Sequence, residues 1–520
     1  MNGAVRDRSL VFLVVLVASL TASTWRFPQS SDGTAILATA RSLLDHGTLA
    51  IDERFARDNG YAPSARIGLD GRAYAKYGVG AALWQLPWLA LADAATRVSS
   101  LSRPHVEALL LSLVNPLLTA TTAALVAALA LLFGAGRRDA AALGAAYALT
   151  TFAWAYAVTD GTEALQACLV CLAAWGLATF ERSGRHGALL TASMALALGA
   201  LVKPTLVSLW PAFGLGVAIA LKKRQIGVGS WVTALLMFCI PIGAAGAVWV
   251  ALNLARFGAP FAAGYNDPVM TNPLQAGLYG FLVSFNKGIP WYAPLAAAAP
   301  LGLWGLRRRV PASAAAFAAA SIVWIVLNAR FYDWGGGWCW GPRYLLPVVP
   351  ILVGACAPLP GTRFGRVAAG CLAMAGLGVT LLGVVISEEA YRRTTMHLWL
   401  VDATGTVRAG HATEAGRLVD YPRPPADTLP GFSSIAAHWW LARVAVSGCD
   451  CAPMPLECSC RSGSMEDHPV FASPPWKTRY PEAVPLLPWG VSLLQPRAVE
   501  AAYRAWVHDP TATHPPSRVP

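Results

Sequence analysis

The stretch HVEALLLSLVNPLLTATTAALVAALALLF, His105 to Phe133, carries one charged side chain, Glu107, in a run longer than the roughly twenty apolar residues a helix needs to cross a bilayer. Working outward, comparable runs recur at 9–23, 140–157, 162–181, 188–202, 204–221, 229–254, 289–306, 312–331, 342–358 and 364–387, eleven spans in all. The whole chain agrees: 520 residues are 55% hydrophobic and 13% charged, with mean hydropathy +0.47. A soluble multidomain protein does not have this composition. The reading is an all-α polytopic membrane protein.

A net charge of +12 would raise nucleic acid in a soluble chain, but here the basic residues sit in short clusters between apolar runs. Arg137-Arg138, Arg182 with Arg185, Lys222-Lys223-Arg224, Arg307-Arg308-Arg309 and Arg363 with Arg366 fall in alternate loops. The positive-inside rule puts these loops in the cytoplasm, with no nucleic-acid partner implied. Residues 24–104 then form a first outer loop, and 388–520 an extracytoplasmic C-terminal region beyond a transmembrane unit, 1–387. Within the outer loop, Ile36, Leu37, Ala40, Leu43 and Leu44 recur at helical spacing, which predicts an amphipathic helix on the outer membrane surface. Residues 79–95 are apolar but short and broken by Gln85, Pro87 and Asp93, and read as an interfacial helix. In the C-terminal region, 435–446 reads as a short helix against the membrane or the outer loops.

The unusual residues collect in outer-face loops, where an ionisable side chain at membrane depth is a functional candidate. Asp32, in Ser30-Ser31-Asp32-Gly33, is either a helix N-cap or a catalytic carboxylate, and both roles can coexist. Asp70-Gly71-Arg72-Ala73-Tyr74-Ala75-Lys76-Tyr77-Gly78-Val79-Gly80 offers Arg72, Lys76 and glycine-freed amides to a phosphate, or else anchors headgroups through Tyr74 and Lys76. Asp160 and Glu163 occupy a short outer turn, and Lys203-Pro204-Thr205 breaks a helix pair at the same level. Snorkelling explains Lys203 alone and capping explains Asp160 alone; carboxylates and a cation at one depth suit a polar cavity. Phe285-Asn286-Lys287-Gly288-Ile289-Pro290-Trp291-Tyr292 and Phe331-Tyr332-Asp333-Trp334-Gly335-Gly336-Gly337-Trp338-Cys339-Trp340-Gly341-Pro342-Arg343-Tyr344 complete the set. Trp338 and Trp340 could stack on sugar rings while Lys287 and Arg343 pair with phosphate.

Cys449, Cys451, Cys458 and Cys460 form C-x-C-x6-C-x-C, which outside the cytoplasm reads as two disulfides, each joining one Cys of the first pair to one of the second, and zinc is the other reading. The chain has no Walker motif, no G-x-S-x-G, no H-E-x-x-H and no internal repeat, which argues against a nucleotide-driven pump or a membrane protease.

In order, the first-loop Asp32, Asp-Gly-Arg-x-Tyr-x-Lys-Tyr-Gly-x-Gly, Thr-Asp-Gly-Thr-Glu, Val-Lys-Pro-Thr, Asn-Lys-Gly-Ile-Pro-Trp-Tyr-x-Pro and Gly-Trp-x-Trp-Gly-Pro-Arg-Tyr-Leu-Leu-Pro resemble the bacterial GT-C membrane glycosyltransferases. Protein O-mannosyltransferases and the lipid A aminoarabinose transferase are the well-known members. The resemblance covers about residues 10–390. It implies a GT-C bundle in the cytoplasmic (inner) membrane, a polyprenyl-phosphate-linked sugar donor, Asp32 as catalytic base on the periplasmic or exterior face, and Lys76, Lys203 and Arg343 near the lipid phosphate. Where the mannosyltransferases carry Asp-Glu, this chain has Asp32-Gly33.

That chemistry suits the residue types. A carboxylate takes the acceptor hydroxyl's proton, and cations stabilise the departing phosphate. A monophosphate leaving group places little demand on a metal, so no cofactor is obligatory, with a divalent ion left open. The alternatives are a multispan transporter or lipid-linked sugar flippase lined by Asp160, Glu163 and Lys203, and a non-catalytic binder of lipid-linked sugar. The acceptor, whether glycan, lipid or protein, is not readable.

Overall fold

The structure, a computed structural model, describes residues 2–23, 31–51, 65–224, 227–262, 269–337, 339–385, 434–435, 438–439, 449–450 and 459–460. In chain order the elements are α1 (Asn2–Ala22), α2 (Ser31–His46), a hairpin of β1 (Ala65–Ile67) and β2 (Ala73–Ala75), α3 (Val79–Val98), α4 (Arg103–Leu132), α5 (Arg137–Leu149), α6 (Ala153–Ala157), α7 (Glu163–Ser183) and α8 (His186–Val202). A 3-10 turn at Pro204–Leu209 leads into α9 (Trp210–Arg224), followed by α10 (Val228–Phe257), α11 (Leu274–Leu282), α12 (Ile289–Tyr292), α13 (Pro294–Ala297), α14 (Ala299–Leu306) and α15 (Pro311–Arg330). A second 3-10 turn, Arg343–Val348, opens α16 (Val349–Ala355), and α17 is Arg363–Val385.

Among the described residues, seven helical segments are long and apolar enough to cross a membrane: Arg103–Leu132, Glu163–Ser183, Pro204–Arg224, Val228–Phe257, Pro311–Arg330, Arg343–Gly361 and Arg363–Val385. The other four expected runs take other forms. The first is the 21-residue α1, whose start carries Arg6, Asp7 and Arg8. The run at 188–202 is the 17-residue α8. The run at 140–157 divides into α5 and α6 because Thr150 and Thr151 turn their hydroxyls onto the carbonyls of Ala146 and Tyr147, at 2.8 and 2.6 Å, and interrupt the ladder. The run at 289–306 divides into α12, α13 and α14 at Pro290, Pro294 and Pro300, each of which removes an amide donor.

Small residues let the helices approach closely. Gly176 packs onto the backbone of Ala188 and Ala192, and Gly216 onto Ala312 and Ala316, which seats α7 on α8 and α9 on α15. Packing of this kind, not a hydrophobic drive between helices, holds a bundle together in lipid. By contrast α10 and α17 bury only 11% of their apolar windows and turn long faces outward.

The basic loops meet at one end. Arg137 Nε pairs with Asp7 at 2.7 Å, Arg366 Nε with Asp139 at 3.3 Å, and Lys223 Nζ reaches the Arg309 carbonyl at 3.4 Å. Beneath them the buried Glu181 carboxylate accepts the amides of Ala312 and Ser313 at 3.0 and 2.9 Å, capping α15. Since α7 runs into this end and α8 and α15 run away from it, Glu163, Lys203 and the loop after α15 lie together at the other.

At that second end α2 forms where the periodicity predicts it. Its apolar face, however, is not laid on a membrane surface: Ile36, Leu37 and Ala40 are buried against Ala81, Leu89, Leu118, Leu165 and Val202. The stripe is consumed by protein neighbours, chiefly α3 and α4. The polar face is tied down by Arg41, which binds Asp93 at 3.1 Å and also Glu107, while Arg103 binds Asp45 at 3.2 Å and Asp93 at 2.9 Å.

Candidate active site

Four segments converge at the end opposite the basic loops. The first is the opening turn of α2. The helix begins at Ser31, so Asp32 falls inside the first turn, where a carboxylate still complements the helix dipole. One of its oxygens accepts the Tyr77 hydroxyl. That bond fixes the carboxylate's direction and ties α2 to the chain leaving the hairpin.

The second segment is that exit, Lys76 to Gly80. Gly78 and Gly80 are positions of close backbone packing. A Cβ on Gly78 would stand 2.0 Å from the Leu201 carbonyl, and one on Gly80 would stand 2.7 Å from the Val202 nitrogen. The two glycines let this segment pass directly over the end of α8, which brings the chain that carries Lys76 to the same end of the bundle as Lys203. Lys76 Nζ lies 5.5 Å from the Tyr77 ring centroid, and Lys203 Nζ lies 4.6 Å from that of Tyr344.

The third segment is the 158–163 turn. The cap position of α7 is Thr162, not Asp160. Glu163 is buried and folds over Gly161, facing Lys203, because α7 packs along the 3-10 turn that starts at Arg343. Asp160 takes a different direction, into a cavity that also borders Gly33.

The fourth segment is the loop to Arg343. Gly336 and Gly337 adopt φ of 75° and 73°, a left-handed pair that turns the loop back on itself. Arg343 Nη2 reaches the Tyr344 hydroxyl at 3.1 Å, while its Nε is buried without an acceptor among the described residues. Neither Arg343 nor Lys203 has a carboxylate within ion-pair distance among the described residues.

The electrostatics follow from this crowding. Burial holds Lys76 below the usual lysine value; Asp32 opposes that shift, Arg343 adds to it, and Asp333 opposes it. Lys203 is likewise held down by burial, against the pull of Glu163, with Arg343 adding to the shift and Asp32 opposing it. Burial pushes Asp333 up, and Arg343 and Lys287 pull it back. Asp32, Lys76, Lys203, Glu163, Asp333 and Arg343 thus act on one another as one cluster, in which burial lowers the two lysines and nearby carboxylates only partly offset it.

Other expected site residues are placed elsewhere. Arg72 is exposed on the hairpin turn and lies 4.0 Å from Asp70, and the Tyr74 hydroxyl donates to Asp70 at 2.7 Å, so both face the hairpin's own turn. Lys287 is fully buried, and its ammonium donates to the carbonyls of Gly337 and Cys339 at 3.2 and 2.8 Å. It lies under the loop as a pin, not in the open as a phosphate ligand. Trp340 is 2% exposed, packed edge-on against Tyr292 at 5.3 Å and His438 at 4.5 Å, with its carbonyl accepting the Tyr156 hydroxyl at 2.8 Å. It is a core residue here, with no face open to a sugar. Trp338 lies outside the described residues.

The expected short helix of the C-terminal region is described at Ser434, Ile435, His438 and Trp439, which are helical. Ser434 Oγ donates to the Cys339 carbonyl at 3.0 Å, so this piece rests on the loop that carries Arg343. Burial pushes His438 down to about 3. Further on, β3 (Cys449–Asp450) and β4 (Ser459–Cys460) pair antiparallel with Cys449 opposite Cys460. The side chains of Cys449 and Cys460, and all of Cys451 and Cys458, lie outside the described residues. Among the described residues no three His, Cys, Asp or Glu side chains converge as a metal-ligand set.

Sequence reading singled out the segments that hold Tyr77, Tyr344 and Asp333 but gave these three residues no role of their own. Each sits one or a few residues from a residue that was singled out, but nothing in an irregular loop marks which neighbour turns inward.

No protein-family profile matches the chain, and no curated protein does. Among solved structures the fold is similar to ArnT from Cupriavidus metallidurans bound to undecaprenyl phosphate, with 14% identity over 84% of this chain and 79% of that one, at a TM-score of 0.47. It is also similar to the archaeal oligosaccharyltransferase AglB from Archaeoglobus fulgidus in complex with an inhibitory peptide and a dolichol-phosphate, with 10% identity over 81% of this chain and 61% of that one, at a TM-score of 0.47.

Proposed function

We propose that this chain is an integral membrane glycosyltransferase that moves a sugar from a polyprenyl-phosphate-linked donor to an acceptor hydroxyl, with Asp32 as general base. The observation that carries the reading is the cluster itself: one oriented carboxylate with three half-buried cations, Lys76, Lys203 and Arg343, of which Lys203 and Arg343 have no carboxylate at ion-pair distance among the described residues. Withdrawing a cation from water without a counter-ion is costly, and a phosphate offsets that cost at Lys203 and Arg343. The motif resemblance names the donor class that supplies one.

In the reaction the acceptor oxygen attacks the anomeric carbon and passes its proton to Asp32. The bond from that carbon to the phosphate oxygen breaks, and its electron pair leaves on the lipid phosphate, where Lys76, Lys203 and Arg343 stabilise the growing charge. Attack opposite the phosphate inverts the anomeric carbon. A monophosphate leaving group with these cations requires no metal. The positive-inside pattern supports a cytoplasmic basic end, and with it a cluster that works on the outer face of the membrane.

The test is transfer of radiolabelled sugar from a panel of polyprenyl-phosphate sugars by purified wild type and Asp32→Asn. Loss of about 10² to 10⁴ in transfer rate with donor still bound is expected for a missing base. Transfer by Asp32→Asn at the wild-type rate would overturn the assignment.

A further inference from the structure

The geometry points to a second binding site in this chain: the cavity beside Gly33 holds the acceptor, and the acceptor presents an uncharged sugar. The inference rests on the transferase reading above and adds to it the class of acceptor.

The cavity has a volume of about 80 Å³ and lies between the first turn of α2, α3, α4 and the 158–162 turn. It holds several water-sized groups, the scale of one sugar ring. Its lining combines an indole, Trp84, and the apolar Leu165 with the hydrogen-bonding groups of Gln85 and Asp160. Aromatic surface for the C–H face and carboxylate or amide oxygens for the hydroxyl edge is what a sugar ring requires.

Three observations choose the acceptor over the donor. First, no Lys or Arg lines the cavity among the described residues, so it is unsuited to a phosphate. Second, Gln85 Oε1 is buried with no donor among the described residues, and an oxygen so placed calls for a hydroxyl. Third, the cavity reaches the first turn of α2 at Gly33, next in sequence to Asp32, while Asp32 itself and Lys76, Lys203 and Arg343 stand outside its lining. An inverting displacement needs this separation, with nucleophile and leaving group on different sides of the anomeric carbon and the base on the nucleophile's side.

The turn that carries Asp160 is fixed for the purpose. Asn115 Nδ2 donates to the carbonyls of Thr159 and Gly161, at 2.7 and 2.9 Å, which brackets Asp160 and holds it toward the cavity. Glu163, three residues on, turns the other way to Lys203. The two carboxylates of one short turn therefore serve different partners.

The experiment uses full-length protein in nanodiscs and radiolabelled octyl β-glucoside as probe, first by equilibrium binding without donor, then by transfer in the presence of donor. Binding by wild type that weakens about tenfold in Gln85→Leu and in Asp160→Asn, and is retained in Gln85→Glu, is expected from loss of a buried hydrogen bond. In transfer, KM for the glycoside should rise by a similar factor and by more than KM for the donor. Equal glycoside binding by wild type, Gln85→Leu and Asp160→Asn, all folded by size exclusion and thermal melting, would overturn the proposal. So would a rise in donor KM alone, which would hand the cavity to the donor. Gln85-dependent glycoside binding with no transfer by wild type would uphold the sugar site and remove the transferase reading instead.

Discussion

Replacing Arg343 by Met tests the cation cluster in a way that a general loss of activity does not. Its guanidinium is held 4.9 Å from the Tyr344 ring centroid, with one nitrogen on the Tyr344 hydroxyl and Nε without an acceptor. A phosphate at about 4 Å in surroundings of effective dielectric about 20 gains about 4 kcal/mol from such a charge. Part of that returns on removal, because Arg343 is one of the causes that hold Lys76 and Lys203 down, and both lysines are then held down less. With about 1 kcal/mol recovered, kcat/KM for the donor should fall by about 10². The sign of the pH effect is the sharper test. A bound phosphate keeps both lysines protonated, so binding takes up protons above their lowered free-protein values, and donor affinity falls as pH rises through them. Removing Arg343 moves those values back toward 10.5. The alkaline fall in donor affinity should therefore begin at higher pH in Arg343→Met than in wild type. Donor affinity measured by titration of polyprenyl phosphate across pH 7 to 10 reads both effects, and an alkaline limb that is unmoved or shifted downward would refute the cluster.

Gly78→Ala drives a Cβ into the Leu201 carbonyl, and parting the two backbones should cost about 1–3 kcal/mol in thermal unfolding and weaken donor binding about tenfold as Lys76 is displaced from the cluster. Gly187→Ala, a helical site with nothing within 4 Å, serves as the control and should be neutral or slightly stabilising. Lys287→Met leaves the Gly337 and Cys339 carbonyls without their donor, so it should lower the melting temperature and kcat but leave the alkaline limb of donor binding in place, which a true phosphate ligand would not do. Glu181→Ala strips the cap from α15 and should cost about 3 kcal/mol in unfolding, with Glu181→Gln near 1, and little change in donor affinity since the site lies at the other end of the bundle.

The helices and the site differ in how far the sequence revealed them, and the difference has a physical origin. Apolar length and charge asymmetry are properties of runs, so His105 to Phe133 announces a membrane helix whatever its neighbours do. Helical periodicity likewise located α2, but it could not say whether the apolar stripe of Ile36, Leu37 and Ala40 would meet lipid or protein, because the stripe is the same for both. In the loops even that signal is absent. Arg72 and Lys76 are four residues apart in one motif, yet one is exposed on Asp70 and the other sits in the cluster, and only the backbone contact of Gly78 with Leu201 decides it. Lys287 and Arg343 share aromatic, glycine-rich surroundings in sequence, but one ends on backbone carbonyls and the other keeps a nitrogen unpaired. A buried cation that is saturated by carbonyls holds a loop, while one left without an acceptor holds a place for an anion. That distinction is invisible in residue type and spacing, and it is what separates the pin from the candidate ligand in this protein.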